Sequence, residues 1–288
     1  SRRTGPRRLS GPGVHGRVGA RYFVAREDST SSGFSQPTAD LRLDGQRLGG
    51  SPIGLGVDLR TRRTTTTRAD GSSTADGHTR VYQAALHWNA PGARFHTVAG
   101  RQYLTAVTSI SLFDGGLMEL NGSRFSFGAF GGFQPEPVDL GFSSEIADVG
   151  AYTQFHSRPG SPNIWALTTG AVGSYAGGKA NREFGFAQLS ISTRPLSIYA
   201  LQEVDYYRDW KVSAGEKSLS WTSTYLSTSI RPYRWLAFNG SYDNRRNVRL
   251  YRDFLDPAIA FDDAYRQGIA GGISIIGRQV RLGGEVRR

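Results

Sequence analysis

Along most of this chain, apolar and polar residues change places at every second position. From Val14 to Tyr22 (VHGRVGARY) the even positions are small or apolar, and the odd ones are mostly basic. Ile53, Leu55, Val57 and Leu59 alternate with Gly54, Gly56, Asp58 and Arg60 in the same way. So do Val280, Leu282, Gly284 and Val286 with Gln279, Arg281, Gly283 and Glu285. A period of two places successive side chains on opposite faces of a strand. The 3.6-residue period of an amphipathic helix is hard to find, so the fold class is all-β.

The pattern predicts roughly fifteen strands, near 13–26, 38–47, 53–63, 79–89, 94–103, 115–121, 123–132, 147–156, 163–175, 183–192, 196–207, 218–230, 234–243, 264–276 and 279–287. Their links alternate between short ones (Leu48–Pro52, Asn121–Gly122, Gly277–Arg278) and long ones near 27–37, 64–78, 104–114, 133–146, 176–182, 208–217 and 244–263. A Greek-key sandwich has no reason to keep that rhythm. An antiparallel up-and-down transmembrane β-barrel of about 14–16 strands does, with turns at one rim and loops at the other. The long loops 133–146 and 244–263 are candidates to fold inward as a constriction or plug, or to extend their strands above the membrane.

Three turns set expected registers. A two-residue turn at Asn121-Gly122 pairs Leu120 with Ser123, Glu119 with Arg124 and Met118 with Phe125. Pro91-Gly92 pairs Trp88 with Phe95 and His87 with His96. Gly277-Arg278 pairs Ile275 with Val280, Ile273 with Leu282 and Ser274 with Arg281. In each hairpin apolar meets apolar, as a wall between hydrocarbon and water requires. Aromatics gather at strand ends: Trp88, Phe95, Tyr233 and Trp235 beside short turns, and Tyr22, Tyr103, Tyr175, Tyr206, Tyr207 and Tyr242 beside long loops. Such rings suit the two headgroup levels of a bilayer, although aromatics also favour strands in general.

Composition removes several function classes. The 288 residues contain no Cys, which excludes disulfides, thiolate metal sites and cysteine nucleophiles. No apolar run is long enough for a membrane-spanning helix. The N-terminal SRRTGPRRLSGPG has charge but no apolar core, so it does not read as a secretory leader. A net charge of +11 normally points to nucleic acid or anionic surfaces. Here, however, residues 1–21 carry six Arg and no acid, and residues 278–288 carry four Arg and one Glu. No nucleic-acid motif accompanies them, so nucleic acid is not expected as a partner. The inferred interior face is balanced: Arg17, Arg21, Arg42, Arg60, Arg62, Arg124, Arg281 and Arg287 against Asp40, Asp44, Asp58, Glu119, Asp148, Glu203, Asp205 and Glu285. Those charges read either as cross-strand pairs bracing the wall or as a field across a wet passage. His87 and His96 lack a third metal ligand at fixed spacing, and His78 with Asp70 and Asp76 lies in a segment that reads as a flexible loop. No metal, cofactor or catalytic residue is expected.

The alternating strands, the turn and loop rhythm and the aromatic ends together resemble the outer-membrane β-barrel proteins of Gram-negative bacteria, porin-like in the broad sense, from Val14 to Val286. Gly100-Arg101-Gln102 followed by Asp114-Gly115-Gly116-Leu117 is similar to a strand–loop–strand unit of such barrels, and Tyr242-Asp243-Asn244-Arg245-Arg246-Asn247-Val248 to one of their loops. The resemblance implies an outer-membrane location and a water-filled channel for passive diffusion of small polar solutes, with outer-membrane lipid around it. Arg17, Arg21, Arg42, Asp58, Arg60, Arg62, Glu119, Arg124, Asp148, Arg281 and Glu285 would line the pore. Tyr22, Trp88, Phe95, Tyr103, Tyr175 and Tyr242 would mark the membrane interfaces. Two alternatives stay open: a sleeve or secretion conduit filled by its own loops, a plug or a periplasmic partner, and a soluble all-β protein. Residues 1–12 form a basic segment and 13–288 the barrel. The odd strand count and the ending Glu285-Val286-Arg287-Arg288, without the usual closing aromatic, point to a longer chain or to a further strand within 1–12.

Overall fold

The computed structural model describes residues 13–27, 29, 32–90, 92–213, 217–248, 250–251, 265–277 and 281–288. It consists of β1 (Gly13–Glu27), β2 (Ser32–Gln46), β3 (Ile53–Thr67), β4 (Ser73–Trp88), β5 (Phe95–Tyr103), β6 (Leu112–Asn121), β7 (Phe125–Phe133), β8 (Ile146–His156), β9 (Ile164–Ala176), β10 (Lys179–Ser192), β11 (Leu196–Tyr206), β12 (Leu219–Tyr233), β13 (Leu236–Arg246), β14 (Tyr265–Ile276) and β15 (Arg281–Arg287). One helical turn, α1 (Trp210–Ser213), lies between β11 and β12. The fifteen strands are hydrogen-bonded in chain order from β1 to β15, an antiparallel up-and-down sheet. The chain divides into two compact units: residues 1–118 with 132–144, and residues 119–131 with 145–288.

Every expected strand is present, but the strict rhythm of link lengths is not. The expected loop at 64–78 is mostly strand: Thr64 pairs with Asp76 and Thr67 with Ser73. Its turn is closed by the Arg68 N–H to the Ser72 carbonyl (2.9 Å) and the Ser72 N–H to Asp70 Oδ1 (2.8 Å). The hydrogen bonds from Ser72 hold the Asp70 carboxyl below the usual carboxylate range. The threonine run is polar enough to read as a loop, yet β-branched side chains favour a pleated backbone. Likewise β1 and β2 extend towards each other, and only Gly177-Gly178 separates β9 from β10. Long connections remain at 104–111, 134–145 and 207–218, while most of the expected loop 244–263 lies outside the described residues.

The three expected registers are each displaced by an even step. Trp88 lies opposite Thr97 and His87 opposite Val98; Pro91 lies outside the described residues. Ile275 lies opposite Leu282 and Ser274 opposite Gly283, while Arg278 and Val280 are outside the described residues. The Gly122 N–H donates to the Phe125 carbonyl (2.7 Å), which makes Ser123 and Arg124 the turn residues and removes the expected Glu119–Arg124 pair. Each connection is longer than the tightest turn that its sequence allows. An even slip leaves every side chain on its own face, whereas an odd slip would have inverted the strand.

Those faces differ sharply in chemistry. In the second unit, Phe125, Phe127, Phe155, Trp165, Trp221, Leu226 and Phe238 are exposed, whereas Ser126, Asp148, Thr168, Ser174, Glu203 and Asp205 are buried. In the first unit the exposed apolar side chains include Val18, Tyr22, Leu86, Trp88 and Phe95, and the buried side chains include the polar Arg101 and Gln102 beside the apolar Ala85, Val98 and Phe113. We call these the apolar face and the polar face of each unit. The polar face of the second unit also carries rings laid over glycines. A Cβ on Gly128 would stand 2.3 Å from the Tyr152 ring, one on Gly150 2.6 Å from Phe130 and one on Gly170 2.8 Å from Phe186. Gly128→Ala is therefore expected to cost about 1–3 kcal/mol by overpacking. Gly116→Ala, with nothing within 4 Å, should leave the urea midpoint of refolded protein unchanged or slightly raised.

Candidate functional site

In the first unit, β1 to β4 set a ladder of charge across their polar face. Arg17 lies opposite Arg42, and the two are relieved by acids alongside: Arg17 Nε is 3.7 Å from Asp40, and Arg42 Nε is 3.9 Å from Asp58. The next rungs lack that balance. Arg60 stands between Asp40 on β2 and Arg80 on β4, and Arg62 between Thr38 and His78. The Arg60 guanidinium lies 5.8 Å from the Tyr82 ring centroid. Arg60, Arg62, His78, Arg80 and Tyr82 line a cavity of about 60 Å³ with no carboxylate in its wall. His78 Nε2 is 2.7 Å from Asp76 Oδ2 outside that lining.

Two arginines on this face also hold a loop. Arg80 Nη2 donates to the Val138 carbonyl (2.8 Å), and its Nε is buried without a hydrogen-bond partner. Arg101 Nε donates to Asp114 Oδ1 (2.6 Å), while its Nη1 donates to the Val81 carbonyl (3.1 Å) and to the Leu140 carbonyl. The loop is a compact turn in its own right. The Glu136 N–H donates to the Gly141 carbonyl (3.0 Å), the Leu140 N–H to the Glu136 carbonyl (3.0 Å), and the Gly141 N–H to Asp139 Oδ1 (2.7 Å). The connection 104–111 is buried at Leu104, Val107 and Ile110.

The polar face of the second unit is acidic and internally paired. Arg182 Nε and Nη2 donate to the two oxygens of Asp205 (2.8 and 2.9 Å), and Nη2 also donates to Glu203 (2.6 Å). Thr222 Oγ1 donates to Asp205, which is fully buried. Above this network, Trp210 Nε1 donates to the Ala180 carbonyl (2.8 Å), and the Tyr251 N–H donates to Asn181 Oδ1 (3.0 Å). The Lys211 ammonium rests 4.7 Å from the centroid of the Tyr207 ring. Arg208 donates twice to Glu183 (2.7 and 2.8 Å), which raises the pKa of its guanidinium above the ordinary value.

The residues singled out from sequence are distributed as follows. Arg21, opposite Thr38, shares a face with Arg17 and is exposed. Glu119 accepts a hydrogen bond from the Tyr152 hydroxyl. Asp148 is buried opposite Ser174. Glu285 accepts from Arg287 (2.6 Å). Arg281 lies opposite Ile276, and its side chain is outside the described residues. Arg124 stands in the turn before β7, where its carbonyl accepts the His156 N–H (2.9 Å). Of the aromatics, Tyr22 is exposed, and Trp88 and Phe95 are exposed with their ring centroids 6.0 Å apart. Tyr175 and Tyr242 are half-buried, and the Tyr175 hydroxyl donates to Glu183 (2.9 Å). Tyr103 is exposed at the end of β5, three residues after Gly100 with its φ of 116°. Tyr207 is buried. His87 and His96 stack with centroids 6.3 Å apart, and among the described residues no three His, Asp or Glu side chains converge on a possible metal position.

Arg80 and Arg182 escaped the sequence reading for local reasons, and Arg101 and Asp114, quoted there as parts of one strand–loop–strand unit, were not foreseen as an ion pair. Arg80 follows the segment read as a loop, and a bulge between Asp58 and Leu59 resets the phase between β3 and β4. Arg182 sits at the bulge of β10 and Arg101 just after Gly100.

No family model matches the chain, and no curated protein does. Among solved structures, the chain is similar to Pseudomonas aeruginosa OccK2 in complex with glucuronate, with 13% identity over 96% of this chain and 92% of that one, at a TM-score of 0.41. A BenF-like porin from Pseudomonas fluorescens Pf-5 gives 10% identity over 96% and 93%, with a TM-score of 0.41. Pseudomonas aeruginosa OpdQ gives 10% over 96% and 94%, with a TM-score of 0.37.

Proposed function

We propose that the sheet is the wall of a barrel in a bacterial outer membrane and that it encloses a water-filled channel through which small polar solutes diffuse passively. The carrying observation is the inverted distribution of chemistry: large apolar side chains exposed on one face, and charged and hydroxyl side chains gathered on the other. A soluble all-β protein buries the first set and exposes the second; a strand wall in lipid does the reverse. Arg17, Arg21, Arg42, Asp58, Arg60, Arg62, Glu119, Asp148, Arg281 and Glu285 are read as lining the interior, and Tyr22, Trp88 and Phe95 as sitting at the membrane surface. The cavity walled by Arg60, Arg62, His78 and Arg80 favours anionic solutes, because three guanidiniums without a carboxylate in the lining set a positive local potential.

Detergent-refolded protein is expected to migrate faster on a gel before boiling than after, and to give discrete conductance steps in a planar bilayer. In a KCl gradient the reversal potential should favour chloride, and Arg60→Gln with Arg62→Gln should move it towards zero. A silent bilayer from correctly refolded protein would overturn the open channel in favour of a filled sleeve. Loss of heat-modifiable migration would overturn the barrel itself.

A further inference from the structure

The loop 134–145 is tied to the polar face of the first unit through two guanidiniums that are held very differently. Arg101 is committed, with both edges occupied by the Asp114 carboxylate and by two backbone carbonyls. Arg80 is half used. Nε and Nη2 form the side edge of a guanidinium, a two-donor fork that matches the two oxygens of a carboxylate or phosphate. In Arg80, Nη2 of that fork holds the neutral Val138 carbonyl, and Nε is buried with no acceptor. The same side chain walls the cavity that it shares with Arg60, Arg62 and His78.

We propose that Arg80 is a switch between the loop and an oxyanion: a carboxylate or phosphate group entering the cavity takes the Nε–Nη2 edge, displaces the Val138 carbonyl and releases the loop, while Arg101 keeps hold of Leu140 as the pivot. The exchange replaces one neutral acceptor by a charged bidentate one and gives the idle Nε a partner, so the anion is the stronger competitor. The proposal rests on the reading that solutes reach this face, and it names the oxyanion group as what they carry there.

The chain has no Cys, so Val138→Cys, at an exposed side chain, gives a single position for a nitroxide label on purified full-length protein in micelles. Titration with inorganic phosphate or acetate at constant ionic strength should raise the label's mobility saturably. In an Arg80→Gln background the label should be mobile from the start and indifferent to phosphate. Arg80→Lys keeps the charge but presents no fork, and should bind phosphate with no change in the label. Arg62→Gln should raise the half-saturating concentration about tenfold, the loss of one charge-assisted contact. Phosphate binding detected by calorimetry without a change in label mobility would overturn the switch and leave the channel standing. Absence of both heat and mobility change would overturn the oxyanion site, with the bilayer conductance still deciding the channel separately.

Discussion

Replacing Arg182 by Met is expected to destabilise the folded protein by about 3–5 kcal/mol, the cost of leaving buried charge without its partner. The side chain makes three hydrogen bonds to two carboxylates, and Asp205 is fully buried while Glu203 is nearly so. Without the guanidinium, two like charges stand two residues apart on one face of β11, with the Thr222 hydroxyl still donating to Asp205. The urea midpoint of refolded protein measures the loss. Adding Glu203→Gln and Asp205→Asn to the Met variant should restore most of it, because the uncompensated charge is then gone. A Met variant as stable as the parent would show that water reaches and screens these carboxylates.

The second large effect tests the assignment of faces at adjacent residues. Leu226 lies at the middle of β12, exposed, opposite Tyr242 and Ala200; Ser227 follows it on the other face, opposite Ser241 and Tyr199. Leu226→Arg should cost about 2–4 kcal/mol in lipid vesicles, the penalty for a cation near the bilayer midplane. Ser227→Arg should cost far less, because Ser227 borders an open concavity of about 460 Å³ lined mainly by Ser and Gly residues, with Glu285 also in its wall. A soluble protein would show the opposite order, with the substitution at the exposed Leu226 tolerated.

Strand identity and face were legible because both depend on a local signal repeated many times. The alternation in 53–60 placed Asp58 and Arg60 together against Leu55, Val57 and Leu59, and the cross-strand pairs agree: Arg42 opposite Asp58, Leu43 opposite Val57, Leu41 opposite Leu59. Expected and observed hairpins differ by two or four positions in pairing without moving one residue to the wrong side. The threonine run 64–67 was illegible for the contrary reason: propensity and polarity point in different directions there, and its pairing with 73–76 settles the matter.

The candidate site was far less legible. The sequence places Arg60 and Arg62 on the polar face and shows eight basic against eight acidic side chains there, which suggests balance. In space the acids pair unevenly: Asp40 and Asp58 go to Arg17 and Arg42, Asp114 to Arg101, Glu203 and Asp205 to Arg182, and Arg60, Arg62 and Arg80 share a cavity with none.

Period-two patterning thus suffices to say that this chain is a meander of amphipathic strands and which side of each strand is polar, since a side chain's face depends on its own position parity alone. Which charge meets which depends on something parity does not carry: the exact slip between neighbours, the bulges at Asp58, Asn181 and Glu203, and the path of the 134–145 loop back to Arg80 and Arg101. A slip of two residues leaves the faces as they were, but it moves a carboxylate by nearly 7 Å along its neighbour, which is the difference between an ion pair and an open anion site.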